Sequence, residues 1–152
     1  MREVTHDQAN LLLRLYELRR EPRLREAREW YVKHFTPTTT EDAMRICPPN
    51  SPESVSMRMV LSYWEMVCNM VNRGLIEEDF FFENTGEQWL VWERFKPVAA
   101  AFRAMFKNPN AYKHLEENSK RLEAWRDNTA PGQNELMRQM AVTMASGQPP
   151  KA

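Results

Sequence analysis

PESVSMRMVLSYWEMVCNMVNRG, residues 52–74, is the stretch whose reading decides the fold. On a helix from about Pro52 to Arg73, the polar residues Arg58, Ser62, Glu65, Asn69 and Asn72 recur at spacings of four, three, four and three. They draw one narrow line along one face. Val, Leu, Met, Tyr63, Trp64 and Cys68 cover most of the remaining circumference. A helix apolar most of the way round belongs at the centre of its fold. Its ends carry local signals too. Ser51 suits an N-cap, Pro52 the first helical position, and Gly74 a left-handed C-terminal cap.

Working outward, the same periodicity places more helices around this one. Leu11, Leu15 and Leu18 mark a first helix over about Asp7 to Arg20. Pro22 starts a second, ending near Phe35, with Leu24, Ala27 and Tyr31 inward. In the connector TPTTTEDAMRICPPNSP, Thr38 and Glu41 have capping-box spacing, so a short helix over Glu41 to Ile46 is expected. After Gly74 a helical turn is expected at Glu77 to Phe82. A fourth long helix follows from about Glu87 to Lys107, kinked at Pro97 because proline removes a backbone donor. Asn108 and Pro109 read as the N-cap and first residue of a fifth helix bearing Ala111, Leu115, Asn118, Leu122 and Trp125. Glu116–Lys120 and Glu117–Arg121 stand as ion pairs on its outside. Leu136, Met140 and Met144 form a weak stripe that docks as a short sixth helix or stays loose, and the Pro149-Pro150 end is expected to be disordered. The expected architecture is therefore all-α: one bundle of about five main helices over residues 7–127, with a partly helical or disordered tail over 128–152.

Composition narrows the function classes. The 152 residues hold only four Gly, in keeping with helices, and 21 basic against 21 acidic side chains. A net charge of zero provides no field to attract nucleic acid or anionic lipid. Arg14, Arg19, Arg20, Arg23, Arg25 and Arg28 are interleaved with Glu17, Glu21, Glu26 and Glu29, the pattern of a salt-bridged surface. Cys47 and Cys68 are too few and scattered for a disulfide framework and read as free thiols. The opening residues MREVTHDQAN lack the apolar run of a secretory signal, and no window reaches the about 18 apolar residues of a membrane span. A cytoplasmic protein is expected.

Glu65 poses the main chemical question. Its stripe is either the helix's exposed edge, one side of a buried ion pair with Arg103 or Arg94, or the place of a catalytic acid. Catalysis needs a second titrating group and a pocket, and the sequence names no such partner. No catalytic residue is assigned. Arg58, Glu65, Asn69, Trp92 and Arg103 stand as a candidate polar seam or ligand site.

Tyr63-Trp64-Glu65, Gly74 followed by Ile76, Trp89 and Trp92, Pro97 in the next helix and Arg103 six residues on form a pattern similar to a bacterial family, the domain of unknown function DUF4760. Ala27-Arg28-Glu29-Trp30 to Phe35 extends the likeness, which covers roughly residues 24 to 125. The resemblance implies a helical fold and carries no activity, substrate or cofactor. Many relatives carry an N-terminal membrane helix, where this chain has an amphipathic, charged one.

Other chemistry-bearing residues are sparse. His6, His34 and His114 lack metal-ligand spacing, so no metal and no cofactor are expected. Glu77, Glu78, Asp79, Glu83 and Glu87 form an acid-only run beside Phe80, Phe81 and Phe82, three rings that one short turn is not expected to bury. An aromatic edge against acids suits an interaction surface, as does the Leu136, Met140 and Met144 face. The sequence thus favours an interaction or regulatory module that forms a homodimer or meets a partner protein. The rival is a small-ligand-binding protein or enzyme with a site beside Glu65, Trp92 and Arg103.

Overall fold

In the computed structural model, residues 2–147 are described. They form α1 (His6–Arg19), α2 (Pro22–His34), α3 (Thr40–Ile46), α4 (Pro52–Asn72), α5 (Glu78–Asn84), α6 (Glu87–Met105), α7 (Lys113–Thr129) and α8 (Gln133–Ser146). The fold is all-α, with eight helices among the described residues rather than five or six. The expected disorder at Pro149-Pro150 lies outside the described residues.

Local chemistry explains most helix ends. Thr5 accepts the Gln8 N–H at 3.2 Å. The Glu21 carboxylate accepts the Arg23 and Leu24 N–H groups at 3.1 and 2.8 Å, with Pro22 in the first turn of α2. Ser51 caps α4 by accepting the Ser54 N–H at 3.1 Å. At its far end Gly74 takes φ 79, and the Gly74 and Leu75 N–H groups reach Val71 and Met70 carbonyls at 2.9 and 3.0 Å. This is the left-handed closure that glycine permits.

The cap of α3 is one residue later than expected. Thr39, not Thr38, accepts the Asp42 N–H at 3.1 Å, while the Thr38 N–H and hydroxyl donate to the Asp42 carboxylate at 3.1 and 2.7 Å. The start of α7 is also corrected. Asn108 and Pro109 do not open a helix, because the Asn108 side chain accepts the Asn110 N–H at 3.0 Å and holds a turn. Lys107 and Tyr112 then take left-handed φ values of 52 and 58, and α7 begins only at Lys113. The helix carrying Pro97 ends at Met105, two residues before the expected Lys107.

α4 lies against α2, α5, α6 and α7, the central position its apolar circumference implies. Trp64, Trp89, Tyr31, Phe35, Phe81 and Phe95 are the largest wholly buried side chains. The buried Tyr31 hydroxyl donates to the Val91 carbonyl at 2.7 Å, tying α2 to α6. The arginine-rich and acid-rich segments meet within the chain: Arg28 pairs with Glu87 at 2.8 Å.

α8 packs against α2 and α7. Its Ala141 is buried, and Arg94 of α6 donates to the carbonyls of Val32 and Ala141 at 3.2 and 2.8 Å. Burial pulls the Arg94 guanidinium below its ordinary pKa, against a smaller opposing influence of Tyr31. Arg94 is a clamp between α2 and α8, not a partner of Glu65.

Candidate functional site

Two residues of the polar stripe of α4, Glu65 and Asn72, form a seam with α7. Glu65 Oε1 accepts the His114 N–H at 3.1 Å and Oε2 accepts the Leu115 N–H at 2.7 Å. The first N–H groups of a helix lack partners inside it and carry partial positive charge. Tyr112, the N-cap of α7, makes no side-chain capping bond. A carboxylate from another helix fills that need. Half-buried Glu65 thus acts as a cap on α7 and makes no ion pair with Arg103 or Arg94.

The seam continues along both helices. Asn72 Nδ2 donates to the His114 carbonyl at 3.3 Å and lies 3.0 Å from its Nδ1. Asn72 Oδ1 accepts from Arg121 and, at 3.5 Å, from Asn118. Arg121 also pairs with Glu78 at 2.6 Å, tying down α5; it does not form the expected pair with Glu117. Asn69 accepts from Arg73 at 2.8 Å. Beside the seam Cys68 is wholly buried; burial, then the charge of Glu65, push its thiol well above the ordinary value.

Arg103 reaches the same helix start from the other side. Its Nε donates to the Ala111 carbonyl at 2.9 Å, its Nη2 lies 3.0 Å from a Glu116 carboxylate oxygen, and its guanidinium sits 5.7 Å from the Trp92 ring centre. Lys120 completes the chain on Glu116 at 2.7 Å, the one expected outer pair that forms. Trp92 and Arg103 thus come together, and Glu65 and Arg103 flank one helical turn without bonding each other. These groups fasten helices.

Arg58 stands apart from them. Its Nε makes a long 3.4 Å bond to the Ser54 carbonyl of its own helix, and it forms no ion pair among the described residues. It sits at the wall of a cleft of about 400 Å³ between α3, α4 and α6, with Phe35, Met57, Phe95 and Phe102 behind it and Met44, Met105 and Phe106 exposed at the rim. Cys47 lines the same cleft, its thiol pushed up to about 11 by burial and secondarily by Glu53. A smaller cleft of about 240 Å³ lies between α1, α4 and α5.

The aromatic edge expected at 80–82 does not exist. Phe81 and Phe82 are buried, Phe82 packing 5.8 Å from Trp125, and Phe80 is half-buried. Glu77 caps this turn, accepting the Phe80 N–H at 2.7 Å. By contrast Leu136, Met140 and Met144 on α8 remain 54%, 42% and 39% exposed, so an apolar ridge survives folding.

Sequence reasoning missed a cluster at the joint of α6, α7 and α8. The guanidiniums of Arg126 and Arg138 each lie 5.2 Å from the Trp89 ring centre. Arg138 also bonds Glu123 and lies 3.5 Å from Glu93, while Asn134 donates to the Glu123 carbonyl at 2.9 Å. Its members come from three helices, and no spacing within the sequence brings them together. Among the described residues no group of three His, Cys, Asp or Glu side chains is placed to hold a metal ion, and no helix is long and apolar enough to cross a membrane.

Residues 4–122 match a family model described as a domain of unknown function, DUF4760. The chain belongs to this DUF4760 family. The match begins earlier than the likeness over residues 24–125 and includes α1 through the larger part of α7, so the seam and the α3–α4–α6 cleft lie inside the family domain and α8 lies beyond it. Neither a curated protein nor a solved structure matches the chain.

Proposed function

We propose that the protein is an interaction module that self-associates as a homodimer through the outer face of α8. The observation carrying this reading is the exposed ridge of Leu136, Met140 and Met144. Ala141, Asn134 and Met137 face the body of the protein and hold α8 in place, and the ridge runs along the flank of the helix beside them, open to solvent. Three apolar residues four apart, centred on Met140, are self-complementary about a two-fold axis. Leu136 of one copy meets Met144 of the other, and the two Met140 side chains meet at the axis. Methionine adapts well to such a contact. A net charge of zero adds no long-range repulsion.

The polar pair Glu65 and Arg103 supports this reading over an enzyme at that place, because both are engaged at the start of α7. The reading concerns this chain more than its family, since α8 follows the matched residues. Sedimentation at micromolar concentration is expected to give twice the 18.0 kDa chain mass. Met140→Glu should return it to the monomer with unchanged helical content by circular dichroism, and only the wild type should show an unfolding midpoint that rises with protein concentration. A monomeric wild type at every concentration overturns the proposal. Phe81→Glu does not serve as a dissociating variant, because Phe81 is buried and its substitution unfolds the domain.

A further inference from the structure

The α3–α4–α6 cleft combines three properties. Its volume of about 400 Å³ falls within the usual range of small-molecule sites. Its lining is mostly apolar, with Phe95 and Phe102 meeting edge-on at 5.4 Å and Phe106 tilted against Phe102 at 4.6 Å. Arg58 is the one charged side chain among its lining residues. Arg94, Arg103, Arg121, Arg126 and Arg138, around the seam and the α8 joint, are each committed to a carbonyl, a carboxylate or an aromatic ring. Arg58 has only its long bond to the Ser54 carbonyl. Asn50, in a left-handed turn at φ 62, and Thr40 add a side-chain amide and a hydroxyl to the same lining.

We propose that this cleft binds a small amphipathic carboxylate, with its apolar chain or ring among Phe35, Met57, Phe95 and Phe102 and its carboxylate on Arg58. The charge selects the class. A cation meets Arg58 unfavourably, and a neutral apolar molecule leaves the guanidinium unused. A carboxylate matches its planar fork of donors. The exposed methionines Met44 and Met105 at the rim can adjust to chains of different length. Because the cleft lies wholly within the family domain, the site is independent of α8 and of the dimer.

Calorimetric titration with submicellar decanoate, decanol and decyltrimethylammonium tests the proposal on the full chain. Decanoate is expected to bind one to one and most tightly. Arg58→Ala should weaken decanoate by about fivefold, the worth of an ion pair on an exposed guanidinium, and leave decanol unchanged. Ala101→Trp, an exposed position in the cleft lining, should fill the space and remove both while the unfolding midpoint is retained. Bound decanoate should also slow alkylation of Cys47. Absence of decanoate binding overturns the proposal, as does equal binding by wild type, Arg58→Ala and Ala101→Trp, which would place the ligand elsewhere, as in the α1–α4–α5 cleft. Loss of the dimer in Ala101→Trp without decanoate binding would also overturn it, since the cleft would then hold a second copy.

Discussion

Glu65, midway along α4, holds the backbone N–H of Leu115 at 2.7 Å and with it the start of α7. The bond crosses 50 positions of sequence and joins the two helices that form the polar seam. Removing it leaves two helix N–H groups without their acceptor. Glu65→Ala should destabilise the protein by about 1–2 kcal/mol, the range of lost helix caps. Glu65→Gln keeps one acceptor oxygen and loses the charge at the dipole, so it should fall between. Urea unfolding gives the order, and hydrogen exchange should quicken first at His114 and Leu115. Unchanged exchange there would mean that the cap is dispensable.

Gly86 and Arg126 make a second long-range pair. A Cβ at Gly86 would lie 2.5 Å from Arg126 Nη2, and the Arg126 side chain is 6% exposed, so the guanidinium has little room to retreat. Burial also draws its pKa down from the ordinary value, with Glu123 opposing. Gly86→Ala should cost about 1–2 kcal/mol by pushing Arg126 off Trp89. In Arg126→Ala the same substitution should cost nearly nothing. A double-mutant cycle measures the difference, and additive effects would show that the two positions are uncoupled.

These two pairs explain what was legible in the sequence. Both ends of α4 could be read because Ser51-Pro52 and Gly74 are local signals, and its apolar circumference announced a central helix. The start of α7 could not be read, because its cap comes from Glu65 and not from a neighbour in the chain. Asn108-Pro109 has the composition of a helix start but closes a turn. The inward turn of Phe81 and Phe82 depends on a surface that includes Trp125, more than 40 residues away. Arg58 was legible as part of the stripe, but its cleft is built from α3, α4 and α6 together. The ridge of α8 was legible from its spacing of four. The Arg94 clamp that docks α8 was not, since it ends on backbone carbonyls that carry no sequence signature.

The α8 joint should be sensitive to acid. Burial acts to raise the Glu123 carboxyl, but its bonds to Arg138 and Trp89, with the charges of Arg138 and Lys96, bring it below the usual value. A depressed carboxyl adds stability that is whole above the unfolded pKa of about 4.3 and is lost as pH falls through the lower folded value. Wild type should therefore lose stability below about pH 4.3 more steeply than Glu123→Gln. Denaturant titrations between neutral pH and pH 3 check this. Parallel curves for the two proteins would remove Glu123 from the account.

The two thiols should differ in reactivity for a structural reason. Both are free and buried, but Cys47 lines the α3–α4–α6 cleft while Cys68 lies wholly buried near the C-terminal end of α4. Only the thiolate reacts. With Cys47 pushed up to about 11, its thiolate fraction at pH 8 is about one in a thousand, so alkylation should be slow and should rise about tenfold per pH unit. Cys68 is reachable only when α4 separates from its neighbours, so its rate should follow the global unfolding equilibrium and rise with urea. Unfolded, unreduced protein should titrate as two thiols. Mass spectrometry of partly labelled native protein should find the first adduct on Cys47. A first adduct on Cys68 would mean that the central helix opens more readily than its packing implies.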